Sequence, residues 1–184
     1  MNSKISPIKS ALRTIEIEKR AIEALSNRIG DEFEDACELI INCSGRTVVI
    51  GMGKSGHIAR KIAATLASTG TPAIYVHAGE ANHGDIGMIA TNDVVLAISN
   101  SGKTSEIISL LPLLKRKNIP IISFTGDIKS DLGIASNVNL DTHVTEEACP
   151  LGLAPTSSTT ATLVMGDALA MALLEARGFT ADDF

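Results

Sequence analysis

Aromatic residues are scarce in this chain, which has no tryptophan, one tyrosine and four phenylalanines among 184 residues. Ring platforms on which single-stranded nucleic acid could stack are therefore missing. Positive charge is short as well: 16 Lys and Arg stand against 21 Asp and Glu, a net charge of -5. That balance argues against a nucleic-acid or anionic-membrane partner. Cysteine is sparse, and Cys37, Cys43 and Cys149 follow no disulfide or zinc-ribbon spacing, as in a reducing compartment. No apolar run reads as long enough to span a bilayer, and the polar start Met1-Asn2-Ser3-Lys4 is not a signal peptide. A cytoplasmic setting is expected. Repeats, low-complexity stretches and linkers are absent too, so one domain over residues 1–184 is expected.

What the chain does have is aliphatic residues, with 45% hydrophobic content against 20% charged. That mixture suits helices packed on a parallel sheet. The stretch Thr47–Gly70 organises the rest. Its β-branched run Val48-Val49-Ile50 reads as a buried strand. It breaks into the glycine turn Gly51-Met52-Gly53-Lys54-Ser55-Gly56, and Ile58, Ile62, Ala63 and Leu66 follow at helical spacing. Strand, glycine turn and helix together aim backbone N–H groups and a helix dipole at an anion.

Before this stretch, Ile8, Leu12, Ile15, Ile22, Leu25, Ile29, Phe33, Cys37 and Ile40 form an apolar stripe. Two helices meeting at Gly30 are expected, with Asp31 and Glu34 as a capping box. After it the pattern alternates. Strands are expected at Val48–Ile50, Ala73–Val76, Val94–Ile98, Ile119–Phe124 and Val138–Leu140. Helices are expected at Ser55–Ser68, Thr104–Lys117, Ser130–Ala135 and Ser157–Arg177. The fold class is α/β: a five-stranded, doubly wound parallel sheet of flavodoxin-like order, with N-terminal helices over 1–44 and the sheet core over 45–184. In such a sheet ligands sit beyond the carboxyl ends of the strands, where the order reverses. The loops Gly51–Gly56 and Ser99–Thr104 both belong there.

Gly51, Gly53 and Gly56 match G-x-G-x-x-G, but the second strand ends in Val76-His77 rather than a ribose-binding acid. A Walker A loop is excluded because Val48 stands where its first glycine belongs. The loop Ser99-Asn100-Ser101-Gly102-Lys103-Thr104 supplies three hydroxyls, a glycine and helix-start N–H groups, enough to surround a phosphate monoester; a helix cap needs only one hydroxyl. Between the two loops lie His77, Glu80, His83 and Asp85. Their spacing fits no standard zinc pattern, and His83 reads as a general acid or base. His57, on the first turn of its helix, reads as structural. Near the end, Glu146 and Glu147 follow a strand, and Pro150 and Pro155 fix a rigid crossing into the hydroxyl run Thr156–Thr160. Either acid is a candidate base. Cys149, with no helix start or lysine nearby to lower its pKa, reads as a structural thiol.

The segments VVIGMGKSGHIARKIAATLASTGTPA, HAGEANHGDIGM, AISNSGKTSEI and EEACPLGLAPTSSTTATLVMGDALA together resemble sugar isomerase (SIS) domains, and more narrowly the arabinose-5-phosphate isomerases. The resemblance covers nearly the whole chain and is weaker before Gly45. It implies interconversion of D-arabinose 5-phosphate and D-ribulose 5-phosphate through an enediol, supplying the Kdo sugar of lipopolysaccharide, in a homotetramer with sites between subunits. Members resembling this sequence continue past Gly178-Phe179-Thr180 into a His-Pro-Gly-Gly segment and two CBS modules, whereas this sequence ends at Phe184. The implied scheme needs neither metal nor redox cofactor. Phosphate and substrate binding fall to Gly53, Ser55, Ser99, Ser101, Gly102, Thr104 and Ser157. Lys54 neutralises the phosphate or the oxyanion, Glu106 or Glu147 is the carbon base, and His83 moves the oxygen proton. A non-catalytic sugar-phosphate-sensing module and an isomerase of another phosphosugar are the competing readings.

Overall fold

The computed structural model describes residues 6–184, so the polar start Met1–Lys4 lies outside the described residues. Helices α1 (Pro7–Leu25) and α2 (Asp31–Ile41) are joined through a 3-10 turn at Ser26–Arg28. The sheet comprises β1 (Thr47–Gly51), β2 (Ala73–His77), β3 (Val94–Ile98), β4 (Ile121–Thr125) and β5 (Val138–Asp141). Its order is β2-β1-β3-β4-β5 with every pair parallel, the doubly wound order expected. The remaining helices are α3 (Gly53–Ser68), α4 (Ala78–Ala81), α5 (Ser105–Ile108), α6 (Leu111–Arg116), α7 (Asp131–Ala135) and α8 (Ser157–Arg177).

Two apolar layers sandwich the sheet. On one face Val49, Leu96 and Phe124 pack against Ile62 and Leu66 of α3, Ile40 of α2, and Met165 and Leu169 of α8. On the other, Val48, Ile50, Val95 and Ile121 meet Ile107, Leu111, Leu114 and Leu132. Both faces of β1, β3 and β4 are buried, which is why these strands read as continuous apolar runs rather than alternating ones. α3 and α8 touch closely because Gly166 has no side chain: a Cβ there would lie 2.4 Å from Ile62 Cδ1.

Several expectations are corrected. The helix expected over Thr104–Lys117 is two short ones, since Pro112 has no N–H to donate and its ring disfavours a continuous turn. Pro120 likewise delays β4 to Ile121. The capping box at Asp31 does not form: Gly30 is the N-cap of α2, Asp31 is already its first helical residue, and no side chain caps it. Apart from these corrections, α1 buries Ile17, Ala21 and Leu25, while the stripe read from the sequence leaves Ile8, Leu12 and Ile15 62–72% exposed. α8, by length and composition, is long and apolar enough to cross a membrane, contrary to the sequence reading. Its Met165, Leu169 and Leu173 are buried in the core.

Candidate active site

The glycine turn after β1 owes its spacing to close packing. A Cβ on Gly51 would sit 2.8 Å from Ser55 O and 3.0 Å from Gly56 Cα, and one on Gly56 would sit 2.8 Å from Tyr75 Oη. Gly53 has φ +55°, in the left-handed region. The turn thus brings α3 directly onto the end of β1. The helix starts at Gly53, ahead of the expected Ser55, so Gly53, Lys54 and Ser55 form its first turn. Met52 is the N-cap, and no side chain caps the helix. The N–H of Gly56 bonds Met52 O at 3.0 Å, while those of Gly53, Lys54 and Ser55 meet no acceptor among the described residues. An uncapped helix start leaves backbone donors free, and Lys54 is exposed on the same turn.

The second loop is built differently. Ser99, 2% exposed, closes β3 by donating its N–H to Phe124 O, and its hydroxyl lies 2.8 Å from Thr104 Oγ1. Thr104 occupies the N-cap position of α5, yet its hydroxyl bonds Ser99 rather than a helix N–H. It is therefore not simply a cap. Ser101, exposed, accepts from Lys103 N at 3.2 Å. Gly102 has φ +62°, and a Cβ there would strike Ser130 of α7 at 1.8 Å; its carbonyl accepts from Leu132 N. The loop is thus braced between β4 and α7.

Register places the two loops together, since Gly51 pairs with Ile98 on one side and with His77 on the other. The segment after β2 is not a plain polar loop. It folds as α4 and a 3-10 turn over Asp85–Met88, with Ala78, Ala81 and Ile89 buried. His83 is exposed in the turn after α4. Asn82, which the sequence did not single out, ties this segment to α5: Nδ2 donates to Glu106 O at 3.0 Å, and Oδ1 accepts from Ser109 Oγ at 2.8 Å. Glu106, on the first turn of α5, has its carboxyl held below the usual range. Its own backbone N–H contributes most, then the Ser105 hydroxyl at 2.9 Å, with the nearby His77 ring adding to them.

Glu147 does a different job. Its Oε2 accepts from Thr156 N (2.7 Å), Thr156 Oγ1 (2.9 Å) and Ser158 N (3.3 Å), capping α8, while Thr156 Oγ1 accepts from Ala148 N at 2.8 Å. Burial pushes this carboxyl up, but the hydrogen bonds from Ser158 and Thr156 outweigh it and hold the group below its ordinary value. Glu146 pairs with Arg20 of α1 at 3.1 Å. Ser157 is fully buried at the start of α8, and its Oγ has no partner. No hydrogen bond or ion pair links Glu147 or Ser157 to the β1 or β3 loops among the described residues. Cys149 departs from its expected plain character: the N–H groups of Ala154, Leu151, Leu153 and Gly152 around its sulfur lower its pKa. Among the described residues no group of three or more His, Cys, Asp or Glu converges as metal ligands do.

The SIS domain family matches residues 40–172, from the end of α2 into α8. The chain belongs to the SIS domain family. Relatives of this SIS domain include proteins named arabinose 5-phosphate isomerase KdsD. The Pseudomonas aeruginosa one is 63% identical over 184 residues, all of this chain and 56% of its own length. The Francisella tularensis one is 57% identical over 185 residues, 99% of this chain and 57% of its own length. The chain thus spans about half the length of these curated relatives. Among solved structures, Escherichia coli CFT073 c3406 in complex with arabinose 5-phosphate is 46% identical and superposes with a TM-score of 0.93. That match covers 100% of this chain and 97% of that one.

Proposed function

We propose that this SIS domain isomerises D-arabinose 5-phosphate and D-ribulose 5-phosphate through an enediolate, supplying the Kdo sugar of lipopolysaccharide from the cytoplasm as a homotetramer. The observation that carries the reading is 63% identity across the whole chain to a protein named arabinose 5-phosphate isomerase. The neighbour solved with arabinose 5-phosphate supports the same ligand class. The apolar face of α1 supports assembly, because Ile8, Leu12 and Ile15 have no cover within the chain.

The phosphate is held by Ser99, Ser101, Gly102 and Thr104, with Gly53 and Ser55 offering N–H groups from the uncapped start of α3. Lys54, on that first turn, neutralises the oxyanion that develops as the carbonyl moves. Glu106 is assigned as the carbon base. It takes the C2 proton of the aldose, leaving an enediolate, exchanges it with solvent on the carboxyl and delivers a proton to C1; in the same step pair His83 carries the hydroxyl proton from O2 to O1. Glu147 is the weaker candidate for this step. Protonating its Oε2 would surrender an acceptor of three hydrogen bonds at the head of α8. Its role is to position that helix start and with it Ser157. The test is to incubate the protein with arabinose 5-phosphate in D₂O and follow C1 and C2 by NMR. Ribulose 5-phosphate appearing with solvent deuterium at C1 is expected; no turnover and no exchange would overturn the reading.

A further inference from the structure

A cavity of about 290 Å³ opens between β2 and α3, lined by Gly53, Gly56, His57, Arg60, Tyr75 and His77. It lies on the β2 side of the glycine turn, whereas the Ser99–Thr104 loop is braced against β4 and α7 on the other. The chain as a whole is acidic, with net charge -5, yet no carboxylate lines this space. Grooves elsewhere on the chain differ: one at the amino edge of the sheet includes Asp35, Glu38 and Asp93 in its lining, and one beside β5 includes Glu32, Asp35 and Asp141 together with Arg28.

The basic groups here also stand outside every ion pair. Neither His57, Arg60 nor His77 forms an ion pair among the described residues. Arg60 is held over the Tyr75 ring, its guanidinium carbon 5.0 Å from the centroid, a contact that orients the fork and leaves its N–H donors unspent. Tyr75 in turn is anchored by its hydroxyl, which donates to Gly51 O at 3.4 Å. His77 Nδ1 is buried with no hydrogen-bond partner, so no protein group selects the ring's tautomer. Glu106 is close enough to feel His77 but does not line the cavity.

We infer that this cavity is a second oxyanion subsite, separate from the Ser99–Thr104 loop, in which Arg60, His57 and His77 bind a phosphate group. The cavity has room for a phosphate and its hydration, and planar Arg with ring N–H donors is the set that recognises one. The inference does not rest on the isomerase reading. Its ligand is either free inorganic phosphate or the second phosphate of a bisphosphorylated sugar.

The test is histidine-ring NMR at fixed pH and ionic strength, titrating inorganic phosphate into the wild type, Ser99→Ala/Ser101→Ala and Arg60→Gln. The His57 and His77 signals should move saturably in the wild type and in the serine double mutant, while His143, beside Gly126, stays still. Arg60→Gln should weaken that response at least tenfold. If Arg60→Gln does not fold, His57→Gln on the exposed helix face should give the same loss. Repeating the titration with fructose 1,6-bisphosphate separates the sources. Tighter binding than phosphate in wild type, lost in either the serine or the Arg60 variant, marks a bisphosphate; equal affinity marks free phosphate. The inference is overturned by an unsaturable response, by one that Arg60→Gln and His57→Gln leave unchanged, or by one that vanishes with the two serines.

Discussion

The hydroxyls of Ser99 and Thr104 lie 2.8 Å apart, closing the β3 loop into a ring in which the residue at the head of α5 spends its side chain on the loop, not on the helix. In the proposed function that contact preorganises donors around the substrate's phosphate. Ser99→Ala with Ser101→Ala should leave the fold intact and weaken phosphosugar binding, since hydrogen bonds to a charged group contribute about 1.5–3 kcal/mol each. Calorimetry showing unchanged affinity in the folded double mutant would remove this loop from the site.

Lys54 is exposed on the first turn of α3 and takes no part in any ion pair among the described residues. Lys54→Ala should fold normally and lose most turnover, as removing a preorganised charge near an oxyanion costs about 2.7–4 kcal/mol. Wild-type kcat in that variant would make Lys54 an ordinary solvated residue.

The two acids separate by exchange. Glu106→Gln should bind sugar phosphate yet no longer wash deuterium into C2 in D₂O, because the amide cannot take the carbon-bound proton. Glu147→Gln should retain measurable exchange. The reverse outcome would move the base to Glu147.

Glu147 also makes a stability prediction. Its carboxyl is held below the ordinary value in the folded chain, so the ionised form is favoured by folding. The cap's contribution is then fully present above the unfolded-state pKa and fades as pH falls through the lower folded value. Glu147→Ala should therefore cost about 1–2 kcal/mol at pH 7, a typical loss for a helix cap. In urea melts the gap between wild type and variant should narrow below about pH 4, around and beneath the ordinary Glu value. A gap independent of pH would assign the loss to packing alone.

Assembly is tested on α1. Ile8, Leu12 and Ile15 are exposed along one side of the helix, and Ile15 and Ile22 line a shallow apolar groove of about 300 Å³. Placing a charge there with Ile15→Asp should shift the mass measured by light scattering from a tetramer to smaller species without unfolding the chain. A 19.2 kDa monomer already in the wild type at micromolar concentration would defeat the assembly.

The alternation of apolar strands and helices, the two loops at the point where strand order reverses, and the motifs shared with SIS domains were all legible in the residues. Each of these is a local property. A strand buried on both faces must be apolar throughout, and a glycine turn that lets a helix approach a strand must lack Cβ atoms at Gly51 and Gly56. Pro112 and Pro120 carry local signals too, since a missing N–H separates α6 from α5 and holds β4 back to Ile121.

Other features came from contacts between residues far apart in the chain, which no local pattern encodes. Glu147 is an acid after a strand in sequence; it becomes the cap of α8 because the Pro150–Pro155 crossing folds Thr156 and Ser158 back onto it. Asn82 is one polar residue among several until α5 packs beside α4 and offers it Glu106 O. α1 presents apolar residues on more than one side, and only the position of α8 selects Ile17, Ala21 and Leu25 for burial while Ile8, Leu12 and Ile15 stay outside. Periodicity constrains which residues share a face, but hydrogen-bond partners and the choice of buried face depend on which distant segment arrives there, and that is a property of the assembled sheet and its layers.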